Sequence, residues 1–387
     1  MSLVSVTMAA TILLLTSLSI SGQGDSAWSC QEGWPCQLAL ASHNPVFLDC
    51  PSAQHSSISW HFLNLSVENS SFVPFINSSG AIKTLQHPGL SQLAGKAELI
   101  EGDLKLKDPQ TSDSGIFLCQ DGDRLLAYFE TDFQDALQLH VSHAVLDQNT
   151  RPLEMVALDD GRELEMYTHW SGWQACDRCD AEGERRRLGF CYARLLRGSD
   201  VPGEPEPLPC GLMRVKLGAH SVPALSRGPE LRIETCMETC RGVPAAGIDK
   251  EIPILLKDTF LAQLREPVEL RCPRASVYNP VYWKRDDTIL TLLQLLTVNG
   301  THSLDRVTGG AIYRISHAFP SDAGTYRCYA NRTETGIFLV KLWRGKRKHA
   351  DQTFPFFKHI ILITVVIFNA LTLATICSYM GRNKESG

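Results

Sequence analysis

Concentrated positive charge is the first thing this chain lacks. Its 37 Lys and Arg stand against 42 Asp and Glu, for a net charge of -5. The basic residues are dispersed, so no nucleic-acid footprint forms. No serine sits on a nucleophile elbow, no glycine-rich phosphate loop follows a strand, and the 12 histidines are scattered. The nearest approach to a carboxylate pair is Asp159–Asp160 or Asp286–Asp287. Neighbouring residues in a strand or turn point apart, which makes these solvated turn residues. The sequence therefore predicts no enzyme, no cofactor and no metal site.

The ends define the compartment. Ala9–Ile20 is an apolar run followed by small residues, too short to span a bilayer but suited to a secretory signal at 1–22, with cleavage between Ser19 and Gly24. A charged segment before it is missing. Near the other end Ile360–Met380, IILITVVIFNALTLATICSYM, is apolar and long enough for one transmembrane helix at 359–380. Asn369 is its one strongly polar side chain. It either marks a helix–helix contact, and so an oligomer through the span, or is tolerated alone. Lys358 and His359 precede the span while Arg382 and Lys384 follow it, so the charge bias is weak. A cleaved signal dominates and predicts a single-pass type I membrane protein with an extracellular ectodomain. The tail, 381–387, has no signalling motif. Cys377 is either an acylation site or a small apolar residue of the helix. In the stalk, 344–358, RGKRK matches a secretory convertase pattern, or is a solvated basic stretch near headgroups.

Of 13 cysteines, 12 precede the span. An even count in an oxidising compartment argues for disulfides. Five N-x-[ST] sequons, at Asn64, Asn69, Asn77, Asn299 and Asn331, agree with a secreted glycoprotein.

PVFLDC ends at Cys50, Trp60 follows ten residues later, and DPQTSDSGIFLC ends at Cys119. A Trp packed on a disulfide between two sheets is the immunoglobulin pattern. Phe117 stands where that fold places a corner tyrosine. The pattern recurs with Cys272, Trp283 and PSDAGTYRC ending at Cys328, now with Tyr326 present. Arg306 lies sixteen residues before Asp322, a spacing resembling the strand-D arginine that pairs with that aspartate; the first occurrence has no arginine between its cysteines. The intervals of 69 and 56 residues predict a variable-like domain at 23–145 and a constant-2-like domain at 249–343.

Between them lie Cys176, Cys179, Cys191, Cys210, Cys236 and Cys240. A zinc ribbon on the two close pairs strands Cys191 and Cys210, and a redox C-x-x-C needs a helix start within a βαβ unit that is not visible here. WSGWQAC followed by GERRRLGFC resembles the thrombospondin type 1 repeat. That resemblance implies Trp and Arg side chains stacked in a ladder in place of a hydrophobic core, over 146–248. It pairs Cys176 with Cys236, Cys179 with Cys240, and Cys191 with Cys210. It also marks Trp170 as a C-mannosylation candidate, the alternative being an unmodified stacked ring. The cysteine spacing is one residue short, the arginines sit two positions early, and the third Trp is absent. Cys30 and Cys36 remain, closing a small loop or bonding a partner chain. The whole order, with CDRC and GERRRLGFCY, resembles the group named family with sequence similarity 187, which implies an immunoglobulin-like type I membrane protein with no established activity.

The expected fold is thus mostly β: two immunoglobulin-like sandwiches flanking a small disulfide-rich module, then one transmembrane helix. The expected function is cell-surface recognition or adhesion, binding an extracellular protein or glycan through loops such as the QDGDRLLAYFETD hairpin. The alternative is a structural partner of another membrane protein in cis, with no ligand of its own.

Overall fold

The computed structural model describes residues 28–30, 34–51, 57–67, 70–82, 88–196, 206–218, 222–240, 255–297, 300–343 and 353–382. The expected signal, Asn69, Asn299 and the RGKRK stretch lie outside these described residues.

The first module is a two-sheet sandwich. Strand Val46–Leu48 buries Val46 and Leu48 on one face and pairs with Asp103–Leu106, which pairs with Ala97–Ile100. The facing sheet runs in the order Pro35–Ala41, Arg124–Gln134, Gly115–Asp121, Ile58–Leu63, Val73–Asn77, Gly80–Ala81. Its first strand joins in parallel. Trp60 fills the space between the sheets, stacked on Phe129 at 6.0 Å, and Cys50–Cys119 crosslinks them beside it. A buried indole needs a partner for its N–H; here it donates to the Gly102 carbonyl at 3.0 Å.

The third module repeats this plan. One sheet runs Leu256–Gln263, Thr333–Trp343, Gly324–Ala330, Val281–Arg285, Thr288–Leu290, and the other Val268–Arg271, Ile312–Ile315, His302–Leu304. Trp283 is fully buried, donates to the Gly310 carbonyl at 2.9 Å, and packs by the Cys272–Cys328 bridge. Both sandwiches are Ig-like.

The middle of the chain forms a sheet in the order His140–His143, Glu230–Met237, Glu182–Leu196, Glu163–Trp170, Glu154–Ala157. Strand His140–His143 joins it by parallel pairing with Glu230–Ile233, so the chain enters the middle sheet inside the range expected to close the first module. The period-2 alternation of Glu182–Leu196 gives the sheet two different faces. Leu188 and Phe190, with Leu231 and Ile233, enter one apolar cluster with Ala39 and Ala41 of the first module and Leu270 and Trp283 of the third. On the opposite face Leu164, Met166, Cys191 and Ala193 pack against Leu212 and Met213 of helix Cys210–Leu217. The expectation that a Trp–Arg ladder replaces a core is therefore corrected. A ladder is present, and a separate apolar cluster sits beside it, because the insert containing Cys210 folds back as a helix over the far end of the sheet.

A last helix spans Thr353–Arg382. Its described side chains cover 359–375, and Ile361, Leu362, Val366 and Phe368 are all exposed. Among the described residues no helix is long and apolar enough to cross a membrane.

Candidate functional site

Three places are candidate sites, and the first and third bring together residues singled out by sequence. The first is the outer face of the middle sheet. Cross-strand register sets Trp170 opposite Gly189, Arg187 opposite Arg232, and Arg185 opposite Glu234. A Cβ at Gly189 would lie 2.3 Å from Thr168 Cγ2 and 2.9 Å from the Trp170 ring. Glycine there lets the indole lie down over its neighbour. The Arg187 guanidinium then stands 4.7 Å from the Trp170 ring and 4.6 Å from Trp173, and Arg185 lies 4.7 Å from Trp173 on its other flank. Four side chains alternate Trp, Arg, Trp, Arg, and Glu234 accepts from Arg185 at 3.2 Å at the open end. Burial, first, and the neighbouring Arg232 and Arg185 charges lower the Arg187 pKa, against the Glu234 charge.

Three bridges tie this module: Cys176–Cys236, Cys179–Cys240 and Cys191–Cys210. The two CDRC sulfurs belong to different bridges. Cys179, Asp180 and Cys240 converge closely enough for an ion, but the bridge between the two cysteines removes both thiolates, which are the donors such a site needs. Cys30–Cys36 closes its own loop, beside a well-exposed Trp34.

The second place is the junction of the modules. On the inner face of Glu182–Leu196 the fully buried Arg186 donates to the Val281 carbonyl at 2.7 Å and to that of Gly309. Two residues earlier, the Glu184 carboxylate accepts from the Leu292 and Leu293 N–H groups at 3.3 and 3.1 Å, and buried His143 Nε2 lies 3.6 Å from it. Burial pushes the Glu184 carboxyl up, but His143, the Arg186 charge and the Leu293 N–H outweigh it and hold it below the usual range. Toward the first module, Gln134 clamps Cys191 at two points, donating to its carbonyl at 2.8 Å and accepting from its N–H at 2.9 Å. Asp132 accepts from Gly211 N–H at 2.9 Å; burial drives its carboxyl up despite that bond and the one from Gln134. The first and third modules also touch directly. Tyr278 accepts from Ala41 N–H at 2.7 Å, Asn44 accepts from Val277 N–H at 2.9 Å and donates to the Val307 carbonyl at 2.9 Å. These polar side chains were not singled out by sequence. Nothing in their local pattern marks them, because each partner lies on another module.

The third place is the hairpin after Cys119. Gly115–Asp121 and Arg124–Gln134 pair antiparallel, with Gly122 at φ 59° in the turn. Asp123, Arg124 and Leu125 are exposed at its tip.

Other expected residues fall as follows. Tyr326 donates to the Asp322 carbonyl at 2.9 Å, the corner bond that Phe117 lacks. Arg306 is exposed on a turn and does not reach Asp322. His302 at 3.1 Å and Arg285 at 3.8 Å approach that carboxylate instead. In the first module Lys96 serves the matching Asp113 at 2.9 Å, a role the search for arginine missed. Asn331 is exposed, and Asn64 and Asn77 are half-buried; both of the latter accept a hydrogen bond from the N–H two residues on. Asn369 is exposed on the last helix.

Two disulfide-pinned sandwiches joined through a triply bridged sheet define a multi-module Ig-like protein. No family model matches the chain. Curated relatives include the Ig-like V-type domain-containing protein FAM187A of Mus musculus, 23% identical over 291 residues, covering 70% of this chain and 68% of that protein. The Bos taurus protein of the same name is 26% identical over 305 residues, covering 70% and 69%. Over about 70% of its length the chain is thus similar to proteins named for an Ig-like V-type domain. Among solved structures, the chain is similar to the insect immune protein hemolin, at 12% identity over 80% of this chain and 75% of that one with a TM-score of 0.21. It is likewise similar to the I9-I11 tandem from titin, at 10% identity over 79% and 96% with a TM-score of 0.18.

Proposed function

We propose that this chain is a cell-surface recognition protein that binds an extracellular protein or glycan and does no covalent chemistry. The observation carrying this reading is the firm seating of the exposed hairpin tip. Asp123–Leu125 project from two strands whose sandwich is clamped to the middle sheet by Gln134 and to the third module by Asn44. A loop held on a fixed scaffold loses little conformational freedom on binding, which favours affinity.

The ladder and three bridges support reading the middle module as thrombospondin type 1-like, with Trp170 as its modified indole. The apolar sequence Ile360–Met380 supports a single-pass type I anchor; the part of the helix with described side chains, 359–375, is by itself shorter than a span. Identity of only 23–26% to relatives of the A type supports a member of the family other than the A type, which we read as the B type from the sequence resemblance.

The test is binding of the soluble ectodomain to cells that lack the protein. Saturable binding, weakened by Arg124→Ala together with Leu125→Ser, supports recognition in trans; its absence rejects it. The exposed Asn369 within an apolar helix favours a second reading, assembly in cis. Loss of a co-purifying membrane partner on Asn369→Leu supports that one.

A further inference from the structure

We propose that the third module carries a second, chemically defined site: a polar cup that takes a neutral hexopyranose of an extracellular glycan. The proposal deepens the recognition reading and rests on it. The cup is an open cavity of about 390 Å³ lined by Lys284, Asp286, Asp287, Thr325, Arg327 and Tyr329. Small-ligand sites occupy this size range.

Its geometry follows from strand register. Val281–Arg285 and Gly324–Ala330 run antiparallel, with Tyr282 opposite Tyr329 and Lys284 opposite Arg327. Residues two apart share a face, so all four side chains lie together on the outer side of the sheet, away from Trp283. The two tyrosine rings stack at 4.5 Å and 3°, and Arg178, from the bend between strands Glu163–Trp170 and Glu182–Leu196, covers Tyr282 at 5.2 Å. Tyr329 is thereby fixed in place, and Lys284 Nζ lies 5.3 Å from its ring. At the rim the turn is equally set. Asp286 accepts from Thr325 N–H at 3.1 Å, and its own N–H donates to the Thr325 carbonyl at 2.8 Å. Arg327 is oriented by Glu334 at 3.1 Å. The Asp287 and Lys284 side chains have neither ion pair nor hydrogen bond among the described residues.

The lining decides the ligand class. Two carboxylates face two cations, so the cup is close to neutral. An anionic sugar or phosphate meets Asp286 and Asp287, and an apolar ligand finds only one aromatic wall. A sugar hydroxyl both donates and accepts. Vicinal hydroxyls therefore satisfy a carboxylate and an ammonium or guanidinium together, while the Tyr329 side chain, held by Tyr282 and Lys284, closes one wall of the cup. The Asp–Asp pair that looks idle as catalytic machinery supplies the acceptors.

The test uses the full-length chain, trimmed with endoglycosidase and held in a detergent without sugar headgroups. Saturation-transfer NMR is run with methyl α-mannopyranoside, methyl β-galactopyranoside and methyl N-acetyl-β-glucosaminide. Sialyllactose and triglycine serve as counterprobes. At least one neutral hexoside is expected to bind, with affinity reduced about tenfold in Asp287→Asn and in Lys284→Met, each losing a charge-assisted hydrogen bond. Asp287 is exposed and Lys284 half-buried on the outer face of the sheet, so neither change enters the core. No hexoside bound, binding indifferent to both variants, or preference for sialyllactose or triglycine overturns the proposal. Cell binding by the same variants separates the two readings. If wild type and both variants bind cells equally, only the cup is rejected; if wild type binds no cells, the recognition reading has failed as well.

Discussion

The Arg186 guanidinium donates to the Val281 carbonyl at 2.7 Å, joining two modules across 95 residues of sequence. Arg186 is fully buried, and a guanidinium out of water is stable only when its donors are met. Here the carbonyls at Gly309 and Val281 take the two terminal nitrogens, Nε has no hydrogen-bond partner among the described residues, and the Glu184 carboxylate is held two residues away on the same strand. The link lives in packing and sets the relative placement of the middle sheet and third module. Arg186→Met keeps the stem and leaves two buried carbonyls unpaired. The expected loss is about 2–4 kcal/mol of stability, read as a lower denaturant midpoint. A change within 0.5 kcal/mol or so would show that water reaches the site.

The ladder makes a second prediction. Trp173 stands between Arg185 and Arg187, and each cation–π contact contributes about 0.5–1 kcal/mol at a partly exposed site. Trp173→Ala is expected to lower the unfolding midpoint by the equivalent of about 1–2 kcal/mol beyond the lost apolar area, and Trp173→Phe by less. Gly189→Ala is expected to cost as much as Trp173→Ala, because its added carbon meets Thr168 and Trp170. Near-ultraviolet circular dichroism of the indoles reports whether the stack has opened.

Two interface carboxylates give opposite responses to pH. Glu184 is held below the usual range. Its contribution is present above its unfolded pKa and is lost as pH falls through the depressed folded value. Asp132 is pushed up, so the folded state binds its proton more tightly and stability falls as pH rises from the unfolded toward the raised value. Thermal midpoints across pH 3 to 8 or so should show Glu184→Gln losing part of the acid sensitivity. Asp132→Asn is expected to raise the midpoint at neutral pH, since the amide keeps an acceptor for Gly211 without a buried charge. A fall there would mean that the charge stabilises the junction.

The two sandwiches differ at one hydroxyl. Tyr326 closes the corner by donating to Asp322, and Phe117 occupies the matching position, buried against Phe62 at 4.8 Å. Tyr326→Phe is expected to cost about 1 kcal/mol, one buried hydrogen bond, by urea titration. Phe117→Tyr would bring a hydroxyl toward the matching Asp113 carbonyl, an acceptor that Lys96 on the Asp113 carboxylate leaves open, and should gain up to about 1 kcal/mol. A large loss in Phe117→Tyr would indicate no room for the oxygen beside Phe62 and Phe75.

The same comparison shows what sequence patterns carry. Trp60, Trp283 and Tyr326 could be placed in advance because the sandwich repeats them at fixed offsets from a cysteine. Spacing alone failed at Arg306, whose turn carries it outward while His302 and Arg285 approach Asp322 from other strands. Arg185 and Arg187 were legible as ladder residues through their resemblance. Arg186 between them was not, since period-2 alternation sends it to the opposite face, where its partners come from another module. Asn44, Gln134 and Tyr278 escaped for the same reason: their roles depend on how modules dock.

The middle bridges permit the last prediction. Cys176–Cys236 and Cys179–Cys240 span 60 and 61 residues, and each crosslink of that length restricts the unfolded chain by about 4 kcal/mol in the chain-entropy account. Alkylation of native, unreduced protein is expected to leave Cys176 and Cys179 unlabelled, and chelation is expected to leave the fold unchanged. Peptide mapping should recover Cys176 with Cys236 and Cys179 with Cys240 as separate linked pairs. Replacing Cys179 and Cys240 together by serine should lower the thermal midpoint while the Trp170–Arg187 stack survives, because that bridge lies at the far end of the strand. Labelling of both CDRC sulfurs in the native chain, or unfolding on chelation, would instead mean that a metal holds this module. The neighbouring Asp180 carboxylate would then have to be counted among its ligands.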